Sequence, residues 1–238
     1  HRDLHSFPTR RSSDLLTNLT FVINEQADRW LGDALWDANG DLWLTTTCYG
    51  LRRVDRADIT EDFVSTAPAH PGVSDSVLTN RVLPRWTLLD GIPQNRLTRL
   101  ALDRDGALWM GSEEAGAIRF DGRQFQAHGT TEGVASDWVS DVILDPSGGL
   151  WFATKGGLSH FDGQRWRSWR RGDGLPSDEL NTLMVDRAGR VWIGTAGGGV
   201  AIYDLALNVF QTLAWRHGLS HNTVNALLED AQGDIWIG

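Results

Sequence analysis

The chain has 238 residues and a formal net charge of -9. That is long enough for a sizeable core, and the acidic balance excludes nucleic acid as a partner, because counterion release needs clustered Lys and Arg. Lys155 is the one lysine and Cys48 the one cysteine, which excludes an internal disulfide and a cysteine-based zinc site. No apolar stretch approaches the roughly 20 residues of a membrane-spanning helix, so a membrane is expected only through segments C-terminal to this sequence.

Residues 1–15 (HRDLHSFPTRRSSDL) fit no part of the pattern that follows. They resemble a translated adapter sequence and are expected to be a non-native, disordered leader. Residues 16–27, with Leu19-Thr20-Phe21-Val22, suit the outer strand of a preceding structural unit.

From residue 28 onward one motif recurs. Asp37–Trp43, Asp103–Trp109, Asp145–Trp151, Asp186–Trp192 and Asp230–Trp236 all read Asp-x-x-Gly-x-apolar-Trp, with Trp-to-Trp spacings of 66, 42, 41 and 44. A unit of a little over forty residues therefore repeats, and its first copy carries extra chain. Asp-x-x-Gly between two apolar runs is turn chemistry: the carboxylate bonds nearby backbone amides and glycine takes positive φ.

The parts around the motif recur in a fixed order. An apolar strand precedes it (Leu97 to Leu102, Val139 to Leu144, Leu180 to Val185, Val224 to Leu228), and the Trp opens a second strand. A third strand reads Gly-apolar-x-x-aromatic-Asp. An aromatic fourth follows (Phe125; Trp166 with Trp169; Phe210 with Trp215), and a Gly-apolar loop closes each unit at Gly91-Ile92, Gly133-Val134, Gly174-Leu175 and Gly218-Leu219. Helices are excluded, because Gly, Asp and β-branched residues interrupt every candidate longer than about two turns.

Four short strands per unit of about 40 to 45 residues describe a β-propeller. The predicted fold is all-β, an open arc of about 4.5 four-stranded antiparallel blades within residues 16–238. The blades fall near 28–90, 91–132, 133–173 and 174–217, with a partial blade at 218–238. In blade one, Asp55 to Trp86 spans far more chain than Asp121 to Phe125. Residues 56–84, with Pro68, Pro71 and Gly72, are therefore expected to be an irregular excursion between the third and fourth strands. The aligned Trp43, Trp109, Trp151 and Trp192 are expected in equivalent buried positions between blades, with Trp236 as the fifth structural tryptophan.

The unit x-x-Asp-x-x-Gly-x-Leu-Trp-Ile-Gly-Thr, Gly-Gly-Leu, Phe-Asp and Asp-Gly-Leu, most complete at residues 139–175 and 180–219, resembles the two-component regulator propeller. WD40 and kelch repeats fit less well. The resemblance implies an extracytoplasmic or periplasmic input domain. In the intact protein a histidine kinase or diguanylate cyclase would follow across the membrane, with a homodimer in the full-length receptor and a small molecule or glycan as ligand.

With strands A to D running from axis to rim, the D-to-A and B-to-C loops share one face, the usual binding face of propellers. Its candidate ligand residues are Arg96, Trp138, Glu179 and Thr223 before the inner strands, and Glu113 and Lys155 in the B-to-C loops; they vary while the framework repeats. No cofactor, metal or catalytic constellation is expected. Asp103-Arg104-Asp105-Gly106 lacks the downstream Glu of a calcium loop. His128, His160, His217 and His221 fall in no zinc-binding spacing. Two other readings are a propeller lyase acting on a polysaccharide or a streptogramin, which needs acid/base residues converging on the channel mouth, and a protein-interaction scaffold.

Overall fold

The computed structural model describes residues 31–46, 50–58 and 85–238. The described strands form five separate antiparallel sheets. Blade one comprises β1 (Leu31–Trp36), β2 (Leu42–Thr46), β3 (Gly50–Val54) and β4 (Arg85–Trp86). Blade two comprises β5 (Leu97–Leu102), β6 (Leu108–Ser112), β7 (Ala117–Phe120) and β8 (Phe125–His128). Blade three holds β9 (Val139–Leu144), β10 (Leu150–Thr154), β11 (Gly157–Phe161) and β12 (Trp166–Trp169). Blade four holds β13 (Leu180–Val185), β14 (Val191–Thr195), β15 (Val200–Asp204) and β16 (Val209–Leu213); β17 (Leu227–Glu229) and β18 (Ile235–Ile237) form the partial fifth. Each complete sheet pairs its strands in chain order, and the inner strands of successive blades lie side by side in an open arc.

The repeated motif forms because one carboxylate does two jobs. In blade two, Asp103 Oδ1 accepts the amides of Asp105 and Ala107 at 3.0 and 2.8 Å, which closes the turn. Its Oδ2 accepts the indole N–H of Trp109 at 3.0 Å, six residues on. The same Asp-to-Trp bond recurs at Asp37, Asp145, Asp186 and Asp230, at 2.8 to 2.9 Å. A buried indole N–H needs an acceptor, and the turn supplies it at a fixed offset.

The second strand of each complete blade is buried at all five positions. Side chains alternate across a strand, so its two faces must meet two different neighbours. The tryptophan packs on the following blade: Trp43 with Leu97 and Leu108, Trp109 with Val142 and Phe152, Trp151 with Leu183 and Ile193, Trp192 with Val224 and Leu227. Those four indoles are 1 to 8% exposed, as expected from the repeat. Trp236 keeps its bond to Asp230 and is 63% exposed.

The glycine that opens the third strand is required. At Gly50, Gly116, Gly157 and Gly199, φ is positive, and an added Cβ would lie 2.1 to 2.4 Å from a fourth-strand carbonyl oxygen.

Two expectations need adjustment. Trp215 is not on the fourth strand of blade four, which ends at Leu213. It sits in a one-turn 3-10 helix, Trp215–His217, and is 67% exposed. Ala214 to Gly218 takes the same D-to-A turn as Thr87 to Gly91 and Arg170 to Gly174, each closed by a left-handed glycine. In the fifth inner segment Val224 is buried, but pairing starts only at Ala226, which exchanges backbone hydrogen bonds with Gly238 at 3.0 Å ahead of Leu227. In blade one, β4 pairs with β3 through Leu51 and Trp86, and Arg56–Asp58 is a 3-10 turn. The rest of the expected excursion, residues 59–84, lies outside the described residues, as do residues 1–30 and Cys48.

Candidate functional site

The D-to-A and B-to-C loops meet on one face through a repeated backbone bond. Glu113 N donates to Arg96 O at 3.1 Å, Lys155 N to Trp138 O at 3.0 Å and Ala196 N to Glu179 O at 2.9 Å. This bond brings the sequence candidates together in pairs, Arg96 with Glu113 and Trp138 with Lys155. Arg96 Nη1 and Glu113 Oε2 form an ion pair of 2.8 Å. Both groups are partly exposed, and such pairs contribute at most about 1 kcal/mol, so a ligand can reorganise them cheaply. The Trp138 ring is 44% exposed. Glu179 is exposed, and Thr223 is half-buried with its amide on His221 Nδ1 at 2.9 Å.

Lys155 has a partner that the sequence did not suggest. Its Nζ donates to Asn181 Oδ1 at 2.9 Å across the blade junction. Asn181 Nδ2 in turn donates to Val224 O and to Asn225 Oδ1, both at 3.1 Å. Asn181 is the residue skipped in the β13–β14 register, as Gly32 is in β1 and Ser140 in β9. A bulge re-aims its side chain; here it turns Asn181 toward the next blade. Thr98 makes the equivalent bond in blade two, Oγ1 to Val139 O at 2.9 Å.

Beneath this tier, the third position of each inner strand carries a polar or charged group: Asp33, Arg99, Asp141 and Thr182. Asp33 Oδ2 accepts the amide of Leu100 at 3.0 Å, and Asp141 Oδ2 accepts Leu183 N at 2.8 Å and Thr182 Oγ1 at 3.1 Å. Arg99 lies between the two carboxylates, 3.8 Å from Asp33 and 3.9 Å from Asp141. Burial raises the Asp33 carboxyl above its ordinary value, opposed by the Leu100 amide and by Arg99. The ladder fastens inner strand to inner strand and supports the exposed tier. Among the described residues no group of three or more His, Cys, Asp or Glu is arranged to hold a metal. No described helix is long and apolar enough to cross a membrane.

Residues 174–197 and 218–238 match the family model described as two component regulator propeller. Over those two segments the chain is similar to the two-component regulator propeller repeat. Among curated proteins none matches it. Of the solved structures similar to it, one is the extracellular domain described as belonging to a hybrid two-component system of B. thetaiotaomicron. It aligns with a TM-score of 0.71 and 19% identity, over 87% of this chain and 26% of that one. A second extracellular domain from that organism, described as a one-component system, aligns at 0.68 and 18%, over 92% of this chain and 30% of that one. Virginiamycin B lyase from Staphylococcus aureus aligns at 0.63 and 10%, over 89% and 64%. The chain thus spans under a third of the length of the two extracellular domains it resembles, and at such identities the likeness concerns the fold.

Proposed function

We propose that the chain is part of an extracytoplasmic signal-input propeller of a bacterial two-component or cyclic-di-GMP receptor, taking a small molecule or glycan on the face of Arg96, Glu113, Trp138, Lys155, Glu179 and Thr223. The observation that carries the reading is the Trp138 indole. It is exposed on the face of the D-to-A and B-to-C loops, its carbonyl bonded to the Lys155 amide, while the tryptophans of the repeat motif in the four complete blades are buried. An exposed ring beside a few convergent polar groups suits ligand recognition. The neighbours' extracellular placement supports a periplasmic location, and the proposal places the chain in a membrane-anchored, homodimeric parent. No chemistry is assigned to the chain.

The test is thermal shift of the 238-residue chain against a panel of mono- and oligosaccharides with quinupristin included. At least one saccharide should raise the melting temperature, and Trp138→Ala should abolish that shift. The variant's own stability should change by no more than about 0.5 kcal/mol, as at other surface positions. A shift that survives Trp138→Ala, or no shift with any saccharide, would sink the reading. Cleavage of quinupristin would favour the lyase alternative.

A further inference from the structure

Each complete blade sets one residue of its fourth strand against its own motif tryptophan. That residue lies opposite the one following the third-strand glycine, and it is Trp86, His128, Trp169 and Leu213 in blades one to four. Trp86 stacks on Trp43 at 5.4 Å and 28°, and Trp169 on Trp151 at 5.3 Å and 23°. His128 takes the same place on Trp109 at 5.3 Å and 27°. The following blade adds a third ring, Phe120 at 5.4 Å from Trp86, Tyr203 at 5.4 Å from Trp169 and Phe161 at 6.0 Å from His128. One sandwich is therefore built three times, and in blade two an imidazole stands where the flanking blades have an indole.

The blade two–three junction has two further features. It holds a cleft of about 490 Å³ bordered by Trp109, His128, Leu150 and Phe161, with exposed Gln126 and Asp162 at its mouth. It also holds two buried ring nitrogens without hydrogen-bond partners, His128 Nε2 and Trp166 Nε1, on rings 5.7 Å apart. The residues equivalent to Trp166 are Phe125 and Phe210, which have no polar atom to satisfy.

We infer that this cleft is a second ligand site, for an uncharged aromatic molecule of one or two fused rings that enters where Trp86 and Trp169 place their own indoles. A cleft of a few hundred Å³ with the Trp109, His128 and Phe161 rings on one wall, and charged and polar groups over the rest, suits a ligand of that size. The mouth favours no anion. Asp103, Asp105 and Asp162 face two arginines that are already engaged, Arg104 with Pro146 O at 2.7 Å and Arg119 with Asp103 at 3.7 Å. Burial, which outweighs the nearby Glu132, lowers the His128 pKa and so favours the neutral ring. The cleft opens among the A-to-B and C-to-D turns, on the face opposite Trp138, so the inference does not rest on the proposed sensing face.

The experiment is 19F NMR of 5-fluoroindole with the 238-residue chain. The fluorine line should shift or broaden on addition of the chain and recover on addition of excess indole. His128→Trp rebuilds the residue of the flanking blades; it should raise the melting temperature and weaken binding at least about tenfold, the loss of one well-placed contact region. Gln126→Trp screens the mouth from an exposed position and should weaken binding even if His128→Trp fails to fold. Trp138→Ala should bind as the parent does. The inference is overturned by an unchanged fluorine line, by equal binding to Gln126→Trp, or by loss of binding in Trp138→Ala.

Discussion

Replacing Trp151 with Ala should destabilise the chain by about 3 to 5 kcal/mol, the usual range for truncating a buried aromatic. The residue is 1% exposed and lies in a cluster that joins blade three to Leu180, Leu183, Val191 and Ile193 of blade four. Its ring stacks on Trp169 and meets Tyr203 of the next blade at 5.4 Å. Truncation therefore opens a cavity at a junction between two sheets, where neither backbone can collapse independently. Trp236→Ala is the internal comparison: the ring is 63% exposed, and its loss should cost less than about 1 kcal/mol. Denaturant melts of both variants decide the matter. A Trp151→Ala loss below about 1 kcal/mol would show that blade packing does not depend on that position.

The difference between those two tryptophans marks what the sequence could show. Both stand in the same Asp-x-x-Gly-x-apolar-Trp motif, so the motif locates the strand and the turn equally well in each. Burial depends on the next blade, which is a property of tandem packing. The second use of the aspartate was in view as a constant six-residue offset, but turn chemistry alone accounts for only one of its oxygens. The ladder of Asp33, Arg99 and Asp141 was less legible. Its bonds join residues 67 and 42 positions apart, which is one repeat unit, with the extra chain of blade one included in the longer case. Its sequence trace is a charged residue at the third place of otherwise apolar strands. His128 escaped for another reason. The aromatic at the start of its strand, Phe125, was aligned with Trp166, and only the register to Ala117 shows that His128 shares a column with Trp86 and Trp169. Loop order alone put Arg96, Glu113, Trp138 and Lys155 on one face, whereas their pairing needed the backbone bonds and Asn181 required the bulge to be seen.

Asp145→Ala should cost about 3 kcal/mol or more, and it should flatten the acid limb of the stability profile. The carboxylate is buried and fully engaged. Oδ1 accepts Ser147 Oγ at 2.6 Å and Gly149 N at 3.1 Å; Oδ2 accepts the Trp151 indole at 2.8 Å and lies 3.2 Å from His160 Nε2. Removing it strands several donors at once in a site closed to water, and breaking a buried charged network is among the most destabilising single changes. Burial alone would raise the carboxyl above its ordinary value of 3.8, but the bonds from His160, Ser147, Trp151 and Gly149 outweigh it and hold the group well below. Since the folded state binds this proton less readily than the unfolded one, the stabilisation is complete above pH 3.8 and is lost as pH falls below it. Urea melts between pH 7 and pH 3 should therefore show a steeper acid loss in the parent than in Asp145→Ala. Asp145→Asn, which keeps one acceptor but presents an amide to the other donors, should fall between them in stability at pH 7 and, having no carboxyl to titrate, should share the flatter acid limb of Asp145→Ala. Parallel acid limbs in parent and Asp145→Ala would mean that other carboxylates govern the acid transition and that the aspartate of the motif serves the turn alone.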